Sequence, residues 1–234
     1  MMIKKHIPNS ITSLNLLSGM IGIYFVLSGK IEYGAYFIFL AAIFDFFDGF
    51  VARILNVHSE IGKQLDSLAD LVTFGVLPSF ILFQWTKELT DHEYLPFIAL
   101  IVGIFSALRL AKFNVDTRQS DRFIGVPTPA NALLVSTLPF FVSKFPYVGS
   151  YIESPFALLA VAVVMSFLLV AEIPLIALKF KNYSPKDNVF RYLILVIGLA
   201  CIITFGLAGI PILIISYIAL SVLEGVIYKN GNSL

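Results

Sequence analysis

Apolar positions gather in eight stretches of roughly membrane-spanning length, about residues 11–28, 31–53, 64–86, 94–115, 128–144, 155–178, 188–206 and 209–228. Between them lie Gly29-Lys30, the polar run Asn56 to Lys63, Asp91-His92-Glu93, Asp116 to Pro129, Pro146 to Pro155, Lys181 to Asp187 and Gly206 to Gly209, which are rich in breakers and charge. The pattern predicts an all-α, polytopic integral membrane protein of about eight transmembrane helices. No low-complexity segment, soluble appendage or clear internal repeat interrupts it, so residues 1–234 read as one transmembrane domain.

Composition points the same way. The chain is 58% hydrophobic and only 13% charged, with 22 Phe and a mean hydropathy of +0.89. A soluble domain carries about twice that charged fraction. A net charge of +1 with no continuous basic surface excludes a nucleic-acid binder driven by phosphate neutralisation. The single Cys201 lies in an apolar run and reads as a packing residue. The basic start Met1 to His6 is followed by Pro8-Asn9-Ser10, Thr12, Ser13 and Asn15, which interrupt the apolar run a cleaved signal peptide would need.

Charge becomes informative by position. With eight spans and both termini on one side, thirteen Lys and Arg residues, from Lys4 and Lys5 to Lys229, fall on that side and only Lys30, Lys87 and Lys144 fall opposite. Such asymmetry marks the first side as cytoplasmic in a multi-pass cell-membrane protein. The opposite loops hold Glu32, Glu88, Asp91, Glu93 and Glu153, with Trp85, Tyr94, Tyr147 and Tyr151 where an aromatic belt would lie.

Ionisable groups inside spans are costly and are functional candidates. The second stretch ends with Asp45, Asp48, Gly49, Ala52 and Arg53, and the third begins with Gly62, Asp66 and Asp70. On a helix Asp45, Asp48, Gly49 and Ala52 share one face, and Asp66 and Asp70 share another. At about 1.5 Å per residue, Asp48 and Asp66 form a shallow tier and Asp45 and Asp70 a deeper one, roughly 10 Å inside the cytoplasmic interface. Antiparallel neighbours would bring all four around one cavity. Four carboxylates in a low-dielectric cavity need compensation, and hard oxygen ligands suit Mg2+ or Mn2+, with two ions matching four carboxylates better than one. Gly49 and Ala52 leave room for a ligand, and Arg53 at the interface can fork onto a phosphate or simply snorkel.

These residues resemble the signature of the CDP-alcohol phosphotransferases, D-x2-D-G-x2-A-R-x8-G-x3-D-x3-D, with every position filled between Asp45 and Asp70. The resemblance implies an enzyme that moves a phosphoalcohol from a CDP-linked donor to an acceptor hydroxyl and releases CMP. It further implies a six-helix catalytic core, here with two added spans, a di-metal site on Asp45, Asp48, Asp66 and Asp70, Asp70 also as general base, and a homodimer. Gly49, Ala52, Arg53 and Gly62 fall to the CDP-linked lipid.

Softer matches narrow the branch. Pro8 to Leu16, Arg109-Leu-Ala-Lys112-Phe-Asn114 and Gly125-Val-Pro127-Thr128-Pro129-Ala130 are similar to stretches of integral-membrane phosphatidylserine synthases. The implied reaction joins a CDP-linked diacyl or diether glycerolipid to L-serine. Thr12 and Asn15 could reach the nucleotide or satisfy one another. Arg109 and Lys112 share a helical face near the cytoplasmic end of the fourth stretch and suit an anion, with Arg118 and Arg122 on the next loop as further acceptor-binding candidates. These four bases keep open a sibling enzyme using glycerol 3-phosphate, inositol phosphate or another alcohol, and paired carboxylates alone also permit a divalent-cation transporter. Glu172 before Pro174 is expected to bond backbone groups freed by the proline or to line a cavity, Glu224 to snorkel, and His6, His58 and His92 to be solvated.

Overall fold

The computed structural model describes residues 2–57, 59–116, 122–177, 180 and 182–231, excepting the side chains of residues 2–5, 122 and 228–231. Helices α1 (Met2–Leu27) and α2 (Tyr33–Ile54) form a hairpin. Then α3 (Glu60–Asp70), a π-helical turn (Leu71–Val76) and α4 (Leu77–Glu88) run on as one rod. A 3-10 turn (Leu95–Leu100) leads into α5 (Ile101–Val115), and strand β1 (Arg122–Ile124) precedes α6 (Thr128–Lys144). The short α7 (Pro146–Ile152) meets α8 (Pro155–Val170) at 78°. Strand β2 (Pro174–Ile176), α9 (Val189–Phe205) and α10 (Ile210–Gly231) complete the chain.

The protein is thus an all-α membrane protein by architecture. Among the described residues five helical stretches are long and apolar enough to cross a bilayer, and the α7–α8 pair makes a sixth if taken as one span. One of the five, Val189–Ile227, folds back at Gly206, whose φ of 59° breaks the helix. Gly198 then faces Leu213, and a Cβ on Gly209 would collide with the Cys201 carbonyl. Helix α6 is 17 residues long.

Helix starts follow from local chemistry. Ser59, extended at φ −144°, caps α3 by accepting from the Gly62 N–H at 3.3 Å, and Ser154 caps α8 through the Ala157 N–H. The polar stretch Pro8 to Asn15 lies within one continuous helix. Ser10 and Ser13 donate their hydroxyls to the carbonyls of His6 and Asn9, so these polar groups are absorbed by the helix itself, while Thr12 is left to a partner outside it.

The connections alternate between the two ends of the bundle. Gly29, Glu32, Glu88, Pro146 and Glu153 converge on one cavity of about 500 Å³. At the other end Pro8 and Asn9 meet Val57, Ser59 and Lys63, while Lys63 donates to the Asn114 carbonyl. The core between is built from Val26, Ile38, Phe74, Leu77, Ile81, Val102, Val135 and Leu158.

Four expectations change. The sixth apolar stretch is helical only to Val170, because the chain leaves the helix at Ala171 and forms β2, which pairs antiparallel with β1. Glu172 is therefore outside any helix, exposed, and bridges Lys112 at 3.3 Å rather than answering Pro174. Glu224 is buried, 3.9 Å from Arg191, and does not snorkel. Trp85 is only 6% exposed and belongs to the core, whereas Tyr94, Tyr147 and Tyr151 are 69–80% exposed as an interfacial belt requires.

Candidate metal centre and donor site

The signature helices α2 and α3 both rest on α1 and make little direct contact, which leaves a gap between them. Asp45, Asp48 and Asp66 face into it, each offering a carboxylate oxygen within 4.8 Å of the others. Helical spacing brings the first pair to one face, and the antiparallel course of α3 supplies the third. Asp70, one turn deeper, lies within electrostatic reach of Asp45 and Asp66.

Helix α1 orders this cluster. Thr12 Oγ1 donates to Asp48 Oδ2 at 2.7 Å, and Asn15 Nδ2 donates to Asp70 Oδ1 at 3.2 Å. Thr12 and Asn15 thus hold aspartates and do not satisfy one another. Asn15 is itself fixed from below, because Thr73 in the π-helical turn donates to its carbonyl at 3.2 Å. The π-turn lets Gly75 approach Ser106 of α5 and Thr73 approach Gly19 of α1.

The donor set fits divalent metal. Three convergent carboxylates are hard oxygen ligands, and Asp66 Oδ1 is buried without a hydrogen-bond partner, an arrangement that a cation completes.

Beside the carboxylates opens a cavity of about 250 Å³ lined by Thr12, Asp48, Gly49, Ala52, Gly62 and Asp66, with Pro8, Asn9, Val57, Ser59 and Lys63 at its rim. Gly49 is informative here. A Cβ on Gly19, Gly22, Gly34 or Gly75 would lie within 3.0 Å of a neighbouring atom, but a Cβ on Gly49 meets nothing within 4 Å. Its missing side chain serves the cavity, not the packing. Gly62 does both, lining the cavity while a Cβ there would stand 2.9 Å from Asn9 Oδ1. Arg53, next in the chain to the cavity-lining Ala52, is exposed and donates through Nε to the Gly49 carbonyl at 3.0 Å. Asn9, Ser59 and Lys63 line the cavity although the sequence motif does not include them.

A family model described as CDP-alcohol phosphatidyltransferase matches residues 5–178. The chain belongs to that family. The match spans Asp45, Asp48, Asp66 and Asp70. Among similar proteins, a CDP-diacylglycerol–serine O-phosphatidyltransferase of Helicobacter pylori is 30% identical over 93% of this chain and 90% of its own. The Bacillus subtilis protein of the same name is 40% identical over 58% and 76% respectively. An archaetidylserine synthase of Methanothermobacter thermautotrophicus is 31% identical over 68% and 66%.

The acceptor candidates do not join the aspartates as one cluster. Arg109 is 5% exposed, its Nε buried without a partner, and its guanidinium lies 5.5 Å from the Phe113 ring centre. Asp116 and the Tyr217 hydroxyl are within its electrostatic reach. Lys112 turns to Glu172 instead. Arg118 lies outside the described residues; Arg122 is placed by its backbone in β1, and its side chain lies outside them too. His6 and His92 are exposed as expected of solvated residues, and His58 is outside the description.

Proposed function

We propose that this chain is a CDP-lipid:serine phosphatidyltransferase of the cell membrane. It joins a CDP-linked diacyl or diether glycerolipid to L-serine and releases CMP. The observation that carries this reading is the metal-fit trio Asp45, Asp48 and Asp66 beside a cavity that Gly49 keeps open, in a family whose similar members are named for serine as acceptor.

Asp45, Asp48, Asp66 and Asp70 hold two divalent ions, Mg2+ or Mn2+, with Thr12 orienting Asp48. When bound, the metal supplies positive charge that offsets the diphosphate of the donor. Gly49, Ala52 and Gly62 admit the CDP group and Arg53, next to Ala52, pairs with phosphate. Asn15 holds Asp70 Oδ1, leaving Oδ2 to take the hydroxyl proton as serine oxygen attacks the lipid-side phosphorus. The bond from that phosphorus to the CMP oxygen breaks, and CMP leaves with the electron pair. Arg109 receives the serine carboxylate, and Lys112, Arg118 and Arg122 are the further acceptor-binding candidates. The asymmetry of Lys and Arg supports cytoplasmic termini and a cytoplasmic active site. The active unit is a homodimer of single-domain chains, as the family resemblance implies.

The test uses proteoliposomes with one CDP-lipid and a panel of acceptors. CMP release dependent on serine is the expected result. Release that prefers glycerol 3-phosphate or inositol phosphate would replace the acceptor, and metal flux without nucleotide release would replace the enzyme by a transporter.

A further inference from the structure

The family model ends at residue 178, and α9 and α10 lie beyond it. These helices nonetheless make a specific set of polar contacts with one short strand. Ser221 Oγ of α10 accepts the Ile176 N–H at 3.2 Å, and Tyr217 Oη, one turn away, donates to the Ile176 carbonyl at 3.0 Å. Arg191 of α9 donates through Nε to the next carbonyl, Ala177, at 3.2 Å. Both backbone groups of a residue that is 1% exposed are thus satisfied by side chains of a single helix.

Ile176 stands opposite Arg122 in the β1–β2 ladder, with Phe123 opposite Leu175 and Ile124 opposite Pro174. The ladder passes its position on. Gly125 and Val126 donate to the carbonyls of Ile173 and Leu168 at 2.9 Å each, and α6 follows at once with Thr128. Gly125 needs its φ of 76° and its missing side chain there, since a Cβ would collide with the Leu169 carbonyl oxygen. Tyr217 also lies within electrostatic reach of Arg109, which places the strand clamp near the buried guanidinium.

We infer that Tyr217 and Ser221 are positioning residues for the acceptor: by clamping Ile176 they fix β1, and with it Arg122 and the approach to Arg109, without touching the donor cavity. The inference rests on the serine reading above. A short two-stranded ladder is marginal in isolation, and tertiary anchoring is what holds its register. Neither residue lines the donor cavity, so their effect falls on one substrate.

The full-length protein is assayed in liposomes with CDP-lipid and serine varied independently. Tyr217→Phe and Ser221→Ala each remove the hydroxyl that bonds Ile176 while keeping shape, and each raises the serine KM about three- to tenfold. The CDP-lipid KM stays within about twofold, and Ser221→Thr, which keeps the hydroxyl, restores the serine KM. Equal losses on both substrates, or no change in either, overturn the inference. If the unsubstituted protein releases no CMP with serine, the proposed function fails instead, and the two failures are distinct.

Discussion

Gly49 offers a test in which stability and activity move in opposite directions. The residue lies in the interior of α2, where glycine costs about 0.5–1 kcal/mol relative to alanine through lost backbone entropy. A Cβ placed there meets no atom within 4 Å, so Gly49→Ala gains the helix propensity with no steric debit. For a chain of this size that gain raises the thermal midpoint by about 2–4 °C per kcal/mol. Gly34 in the same helix is the control, because its Cβ would stand 2.6 Å from Ile81 Cδ1. Overpacking of that kind costs about 1–3 kcal/mol, so Gly34→Ala lowers the midpoint.

Activity follows the opposite order at Gly49. The cavity it lines is about 250 Å³, and a side chain projecting into it takes space from the CDP group. Gly49→Ala reduces kcat/KM for the CDP-lipid. Gly49→Leu, a good helix former with a longer reach, reduces it by at least about tenfold while remaining folded. The measurements are midpoints in detergent and CMP release in liposomes. Wild-type donor kinetics in the Leu variant would refute the assignment of this cavity to the donor. A lowered midpoint in the Ala variant would refute the claim that packing does not require glycine.

The remaining predictions concern charge. Asp45→Asn or Asp66→Asn abolishes turnover, and chelation does the same with recovery on Mg2+ or Mn2+; full activity after exhaustive chelation contradicts the metal reading. Asp70→Asn lowers kcat more than it weakens CDP-lipid binding, because Asp45, Asp48 and Asp66 remain convergent; complete loss of donor binding would reassign Asp70. Arg109→Gln raises the serine KM with little change for the donor, and ethanolamine, which has no carboxylate, gains relative to serine in that variant; an unchanged serine-to-ethanolamine ratio argues against Arg109 as the carboxylate partner.

The donor half of the site is legible in sequence because it is written in local spacing. Residues three, four and seven apart share a helical face whatever surrounds them, so Asp45, Asp48, Gly49 and Ala52 are aligned before any tertiary contact forms. The roles of Thr12 and Asn15 are not legible in that way. Their partners lie 36 and 55 residues away, and spacing within α1 is equally compatible with a nucleotide contact or a mutual bond. The π-turn after Asp70 leaves no hydrophobic signature, since Leu71–Val76 reads as ordinary helix. Strands β1 and β2 are three residues each and some fifty residues apart, too short to show a period of two. Glu224 and Trp85 were misread for a related cause: position near a span end says nothing about whether a neighbouring helix covers the side chain.

The acceptor half depends on those distant pairings, and its charge balance bears on what it takes. Arg109 is the one acceptor candidate whose side chain the structure describes as buried, and Asp116 already lies within its reach. Lys112 is exposed enough that its pair with Glu172 is worth little, so it can turn toward a passing anion but contributes a screened charge. A phosphorylated alcohol would bring about two negative charges beside a donor diphosphate and four aspartates, and one buried guanidinium opposed by a carboxylate does not offset them. Serine brings a carboxylate and an ammonium together. The carboxylate can take the unpartnered Nε of Arg109, the ammonium adds a cation where anions are in excess, and the net charge of the site is unchanged on binding. On electrostatic grounds, then, the described residues favour a zwitterionic acceptor over a phosphorylated one.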